Sequence, residues 1–488
     1  MKRRSAGLLF LIAGCLAGCK VGPAYVRPQA YAPPAFQEAP PEAAKTSDWT
    51  TANPADSAIG GDWWKIFEDP ELDGLEVQVA QANQSLKAAE ANFRAARAAI
   101  TISRSQLAPT LNVGPTAGTV RDSTNQPYFN HAMANDGEGN MSLPLDMNYE
   151  VDLWGRIRRS VTAAREQAQA SAADLATARL SLQAELALNY FNLRSVDAQT
   201  QLLNDTVKAY EQALQLTQDR YEEGISPRSD VSQAQTQLEA AEVIRTDLES
   251  DRAMDQHVIA ILIGKAPEEF HLDPRIVEDP TEAAQVFPDV PTALPSQLLE
   301  RRPDIASMER HMAAANEQIG IAMTAYYPTL SLSGSVGFLG TSALNWFSWP
   351  SRFWAIGTTL SQTAFDAGRR HAGVAIAQAN YDATVADYRQ TVLISFQQVE
   401  DNLAALRVLE SEAQQQHAAT HSAEQTLDLF QTRYEGGVDT YLQVITSQTA
   451  TLQNQRNDIQ IQLRREQAIV LLVKALGGGW STKQLPRI

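Results

Sequence analysis

Arg220-Tyr221-Glu222-Glu223-Gly224-Ile225 returns in the second half of the chain as Arg433-Tyr434-Glu435-Gly436-Gly437-Val438, and Val231 and Gln235 return as Val444 and Gln448. A repeat on this scale sets the architecture before any local reading does. Ala108-Pro109-Thr110-Leu111 likewise matches Tyr327-Pro328-Thr329-Leu330, and Gly155-Arg156 matches Gly368-Arg369. Each half reads in the same order: helix, proline-started strand, loop, strand, very long helix, tight turn, returning helix. Pro109 and Pro328 stop a helix and suit the start of a strand. Gly224 and Gly437 suit the left-handed position after a helix. Ser226 before Pro227, and Asp439, are expected to cap the helices that follow.

Outward from those turns, the runs from Arg156 to about Glu223 and from Arg369 to about Glu435 contain almost no helix breaker. At 1.5 Å per residue each is roughly 100 Å of helix, far beyond ordinary globular lengths. Val161, Ala168, Leu175 and Leu182 recur every seven residues with Ala164, Ser171 and Ala178 between them, a coiled-coil seam. Small residues along it let helices approach closely, as an array lining a tube needs.

At the opposite end from the turns, four segments alternate. Met141, Leu143, Leu145, Met147, Tyr149 and Val151 oppose Ser142, Asp146, Asn148 and Glu150; Leu330, Leu332, Val336 and Phe338 oppose Ser331, Ser333 and Ser335. Leu111 to Val120 and Phe353 to Leu360 are looser versions. One greasy and one polar face at period two fits a lipid-facing barrel with a wet lumen, and equally a half-buried sheet. Four strands cannot close a barrel, and lipid tolerates no open edge, so a membrane role requires several copies. The fold class expected is mainly α, with four barrel strands per protomer, long coiled-coil helices and an internal two-fold repeat.

The 488 residues carry a formal charge of −17, and loss of Lys2, Arg3 and Arg4 with a leader makes the balance more negative still. Such a surface argues against nucleic-acid binding, which needs basic patches to meet phosphates. Both cysteines, Cys15 and Cys19, lie at the extreme N-terminus, so the rest of the chain can form no disulfide. Lys2, Arg3 and Arg4 followed by a short apolar stretch read as an export signal; its end, Leu16-Ala17-Gly18-Cys19, resembles the bacterial lipoprotein signal, which implies cleavage before Cys19 and acylation of that thiol. The divisions expected are a signal peptide over 1–18, an acylated Pro/Ala-rich leash over 19–45, a first repeat over 46–264, a second over 265–475 with a belt segment at 265–300, and a C-terminal belt segment over 476–488.

Several stretches together resemble the TolC-like outer-membrane efflux channels, specifically the NodT/OprM-type lipoprotein branch. They are Cys19-Lys20-Val21-Gly22-Pro23-Ala24-Tyr25 with Pro28, and Trp63-Trp64-Lys65-Ile66-Phe67-Glu68-Asp69-Pro70-Glu71-Leu72. Leu294-Pro295-Ser296 and Leu298-Leu299-Glu300-Arg301-Arg302-Pro303-Asp304-Ile305 are a further signature, as are the two Arg-Tyr turns and Ala475-Leu476-Gly477-Gly478-Gly479-Trp480. The resemblance spans essentially the whole chain in order. It implies a homotrimer with a twelve-stranded barrel in outer-membrane lipid and a periplasmic tunnel. The tunnel would dock a periplasmic adaptor and an inner-membrane pump through the turns at Gly224, Ile225, Ser226, Gly437 and Val438. It also implies a tip gate: Leu442 as the apolar constriction, and Asp230 with Tyr434 as a hydrogen-bonded link between hairpins. Gln443 and Thr446 stand where some relatives carry an acidic ring; Asp439 can partly replace that charge.

His417 and His421 are four apart on a helix, as zinc ligands can be, but no third ligand is evident. Trp346, Phe347, Trp349 and Trp354 suggest an aromatic girdle. No nucleotide loop, GxSxG elbow or HExxH motif occurs, so neither an enzyme nor a cofactor beyond the Cys19 lipid is expected. Two other readings stay open: the exit duct of a type I protein secretion system, and a lipoprotein scaffold that forms no pore.

Overall fold

The computed structural model describes residues 20–29, 33, 36–38, 61–121, 123–125, 137–276, 299–486 and 488. Cys19 lies outside them, as do parts of the 19–45 and 265–300 segments.

Two short helices, α1 (Pro70–Ala82) and α2 (Gln84–Ser105), lead to strands β1 (Thr110–Val113), β2 (Thr116–Val120) and β3 (Glu138–Val151). The 67-residue α3 (Arg156–Glu222) and the 35-residue α4 (Arg228–Leu262) follow. The second half repeats the order as α5 (Pro303–Thr324), β4 (Thr329–Gly340), β5 (Arg352–Ser361), α6 (Arg369–Glu435) and α7 (Tyr441–Ala475), with α6 and α7 again 67 and 35 residues long. Both long helices fall within one residue of the bounds read from the sequence.

The sheet is antiparallel in the order β1/β2, β3, β4, β5. The single strand expected over Leu111 to Val120 is broken into β1 and β2, yet Val113↔Leu145 and Thr116↔Ser142 share one register. The ladder lapses at Gly114-Pro115, opposite Pro144, because neither proline has an N–H to give. The two pieces therefore act as one strand. Across the sheet, Leu111, Val113, Leu145, Met147, Val336, Trp354, Ile356 and Leu360 fall on one face through pairs such as Val113↔Leu145, Leu145↔Val336 and Val336↔Trp354. Pairs such as Asp146↔Ser335, Asn148↔Ser333 and Asn112↔Asp146 put the polar residues on the other. The apolar face is bare: Leu111 is 64% exposed, Trp354 74% and Ile356 80%. A half-buried sheet would hide that face, so the alternation here is not that of a soluble domain.

The helices do not pack along the single seam expected. α3 is flanked by α2 and α5 and buries several faces, with Val161 and Ala168 buried but Leu175 and Leu182 only partly so. The largest core lies midway down the long helices, where Trp63, Trp64, Leu72 and Val79 pack against Leu186, Tyr190, Val392, Val399, Ile259 and Leu472. This is the belt, and polar bonds fasten it. Asp69 caps α1 and accepts from Tyr190 Oη at 2.7 Å and Arg275 at 2.9 Å; Asp197 accepts from Arg194 and Arg252, each at 2.7 Å.

The described part of the 19–45 leash forms no helix or strand, but it is strapped down. Arg27 donates to Tyr388 Oη and pairs with Glu309, Phe36 is buried in the belt core, and the Gln37 and Glu38 amides donate to Glu400.

Glu76, in the buried face of α1, is fully covered and neither carboxylate oxygen has a hydrogen-bond partner. Burial, with the Asp73 charge adding, pushes its pKa up to about 9. The unfolded carboxyl ionises near ~4.3, so between there and about 9 the native state holds a proton that the unfolded state has lost. Stability therefore falls as pH rises through that window, by at most about 1.4 kcal/mol per pH unit. Glu76→Gln is expected to flatten this dependence and raise the thermal midpoint at pH 8 more than at pH 5. Equal midpoint shifts at both pH values would refute the assignment.

Candidate functional site

The two helical hairpins end in tips of the same geometry. The Gly224 N–H bonds to Tyr221 O and the Ile225 N–H to Arg220 O; the Gly437 N–H bonds to Tyr434 O and the Val438 N–H to Arg433 O. Both glycines have positive φ, +76° and +73°, which this helix ending requires. Ile225 and Val438 project from the tips, 59% and 67% exposed. The expected caps are not made. Pro227 and Thr440 occupy the N-cap positions, while Ser226 and Asp439 bond elsewhere.

Ser226 Oγ lies 3.4 Å from Tyr434 Oη, so the hairpin-to-hairpin link within the chain uses Ser226 where Asp230 was expected. Asp230 sits a turn further on, in the first turn of α4, with Ser229 Oγ 3.4 Å from its carboxylate. The stronger contact comes from a residue that sequence reasoning passed over. Arg220, at the end of α3, donates at 3.2 Å to both Tyr434 O and Glu435 O, and its guanidinium lies 4.7 Å from the Tyr434 ring centroid. One side chain thus caps the other hairpin's long helix and covers its tyrosine. The Arg-Tyr repeat at both tips was the available signal.

Tyr434 packs on Tyr441 with centroids 5.2 Å apart, and burial, with Tyr434 and Asp230 adding, pushes the Tyr441 hydroxyl up to about 12. Leu442, the next residue, turns away from this cluster and is 55% exposed, which excludes a place in the chain's own coiled-coil core. Gln443 and Thr446 are exposed on the same side, and Thr446 Oγ1 is bonded to Leu442 O. Asp439 accepts from Arg433 Nε at 2.5 Å, a pair made within the same tip. Between the hairpins runs a groove of about 670 Å³ whose walls include Tyr210, Leu216, Leu427 and Val444 and whose rim carries Asp205, Glu424, Asp428 and Glu435.

Elsewhere, His417 lies 4.0 Å from Asp458 and His421 beside Gln425, and the described residues contain no group of three metal-ligating side chains. Trp346 stacks on Phe347, and Arg352 covers Trp349, on the loop between β4 and β5. Among the described residues no helix is long and apolar enough to cross a membrane.

The profile of the family described as outer membrane efflux protein matches residues 75–265 and 294–478. The chain belongs to that family. It is 31% identical to the outer membrane protein OprJ of Pseudomonas aeruginosa, over 96% of this chain and 95% of the relative. It is equally 31% identical to a probable efflux pump outer membrane protein, TtgC, of Pseudomonas putida, over 97% and 95%. In structure it matches the outer-membrane channel OprN with a TM-score of 0.83 at 28% identity, covering 95% of this chain and all of that one. The family is one of efflux ducts rather than enzymes. The chain is accordingly an outer-membrane efflux channel, mainly helical, with its helices reaching into the periplasm.

Proposed function

We propose that three copies of this chain close a twelve-stranded barrel and a helical tunnel, making a passive exit duct for small molecules delivered by an inner-membrane pump through a periplasmic adaptor. The observation that carries this reading is the sheet: one face is largely apolar, with Leu111, Val113, Leu145, Trp354, Ile356 and Leu360 exposed, and the edge strands β1/β2 and β5 are exposed over almost their whole length. In lipid such edges must be paired, and further copies of the same sheet are the available partners. The chain itself catalyses no reaction in this account. OprJ, TtgC and the pyoverdine export protein OpmQ of Pseudomonas aeruginosa support the efflux reading over protein secretion. Purified protein added to a planar bilayer is expected to give stepwise conductance; trimers that insert without conducting would support the scaffold reading instead.

At the tips, Leu442 is the constriction, and Arg220, Ser226 and Tyr434 hold the hairpins together. The turns at Gly224, Ile225, Ser226, Gly437 and Val438, with the acid-rimmed groove beside them, receive a basic segment of the adaptor. Cys19 carries the lipid. The mass of the mature N-terminal peptide is expected to show a diacylglyceryl group on Cys19; an unmodified thiol there would reject the anchor.

A further inference from the structure

The first described residues are seated, not trailing. The Val21 N–H donates to Trp154 O at 3.1 Å, and Arg159 donates from Nε to Val21 O at 2.5 Å and from Nη2 to Pro23 O at 3.2 Å. Arg159 Nη1 reaches Glu317 at 2.8 Å, and the other Glu317 oxygen takes the Lys20 ammonium at 3.2 Å. Asn316 adds a bond to Pro23 O at 3.4 Å. The arginine and glutamate side chains are 2% and 7% exposed. Among the described residues, the side-chain bonds they make outside their own pair go to residues 20–23.

The fit is close. A Cβ on Gly22 would stand 2.5 Å from Gly320 Cα, and one on Gly320 would stand 2.3 Å from Arg159 Nε. Gly22 also has φ +105°, which disfavours any side chain. The internal repeat supplies a control. Matching Gly155 to Gly368 and Pro109 to Pro328 carries Arg159 onto Ala372, Glu317 onto Ala98 and Gly320 onto Thr101. The corresponding residues of the second half offer neither the ion pair nor the glycine, although the helices have the same lengths. The pair is thus particular to the half whose helices carry the strap.

We propose that the groove between α3 and α5 is the seat of the mature N-terminal strap, with Arg159 and Glu317 as positioning residues that fix the chain from Lys20 to Pro23 at the strand-to-helix junction instead of leaving it on a tether. Lys20 Cα lies 3.4 Å from the position of a Cβ on Gly155, the residue that starts α3 just below β3. A lipid on the preceding residue then enters the membrane beside the barrel wall, and anchor and barrel act as one rigid unit. The lipid rests on the acylation proposed above; the seat does not.

The test separates the two. A nitroxide at Ala24→Cys is placed in full-length protein carrying Cys19→Ser and exported by a non-lipoprotein leader, so that no lipid holds the strap and the label reports the hold between the seat and Arg27. The label is expected to be immobilised, and the immobilised component is expected to be lost in Arg159→Ala and in Gly22→Val. Gly22→Val leaves the helices untouched, so it answers even if Arg159→Ala assembles poorly. A mobile label in the parent, or an immobilised one in both variants, overturns the seat. With Cys19 restored, trypsin is expected to cut after Lys20 in Arg159→Ala but not in the parent, and the mass lost reports whether residue 19 carried a lipid.

Discussion

Arg220→Ala is expected to open the closed channel. Its two bonds to helix-end carbonyls and its contact with the Tyr434 ring tie one hairpin to the other in each protomer. At about 1 kcal/mol net per tip, the three tips of the proposed trimer contribute roughly 3 kcal/mol to closure, which is on the order of a hundredfold in the open-to-closed ratio. Single-channel recording should show this as longer open times, and cells should become sensitive to antibiotics otherwise too large to enter. Leu442→Gly should add a larger pore to the same phenotype, because the side chain removed is the proposed constriction, exposed beside the tip. Tyr434→Phe loses only the 3.4 Å contact to Ser226 and should do less. Thr446→Ala should do almost nothing, since that hydroxyl bonds to its own helix. An Arg220→Ala trimer that conducts like the parent would leave the arginine as a helix cap only.

Ile356→Arg is expected to prevent assembly in the membrane. Ile356 lies in mid-strand on the apolar face and is 80% exposed in the single chain. An arginine at mid-bilayer on a barrel's lipid face costs about 2–4 kcal/mol, so three copies lose roughly 6–12 kcal/mol, comparable to the whole stability of an ordinary domain. Gly357→Arg, one residue along, faces the polar side and should assemble with altered conductance. Heat-resistant oligomer on a gel separates the outcomes: loss in both variants or in neither would contradict the assigned faces.

The architecture was legible in the sequence because it rests on periods and punctuation. Alternation placed the strands, the absence of breakers placed α3 and α6, and Gly224 and Gly437 placed the tips. What escaped depends on which side chains the packing brings together. Arg220 and Tyr434 are far apart in the chain, and nothing local says that one caps the helix of the other. Ser226 and Asp439 looked like caps because cap residues precede most helices, but each found another partner, Tyr434 across the hairpins and Arg433 within the same tip. The strap looked like a tether because its composition has no core-forming pattern; its hold comes from a buried arginine reading backbone carbonyls, which no composition reveals. The β1–β2 break was visible as Gly114-Pro115, but only pairing with Pro144 explains it.

The account stands on closure of the sheet by further copies, and the repeat fixes the register that closure must use. Matching Gly155 to Gly368 and Pro109 to Pro328 carries the observed pair Leu145↔Val336 onto Thr358 of β5 and Ala117 of the next copy. Both fall on the apolar face. Disulfide formation between Thr358→Cys and Ala117→Cys, placed together in a Cys19→Ser chain exported by a non-lipoprotein leader, is the most direct measurement. The account predicts a covalent ladder ending at the trimer, with Thr358→Cys and Gly118→Cys crosslinking poorly. Monomeric product alone, or a ladder that stops at the dimer, would contradict it.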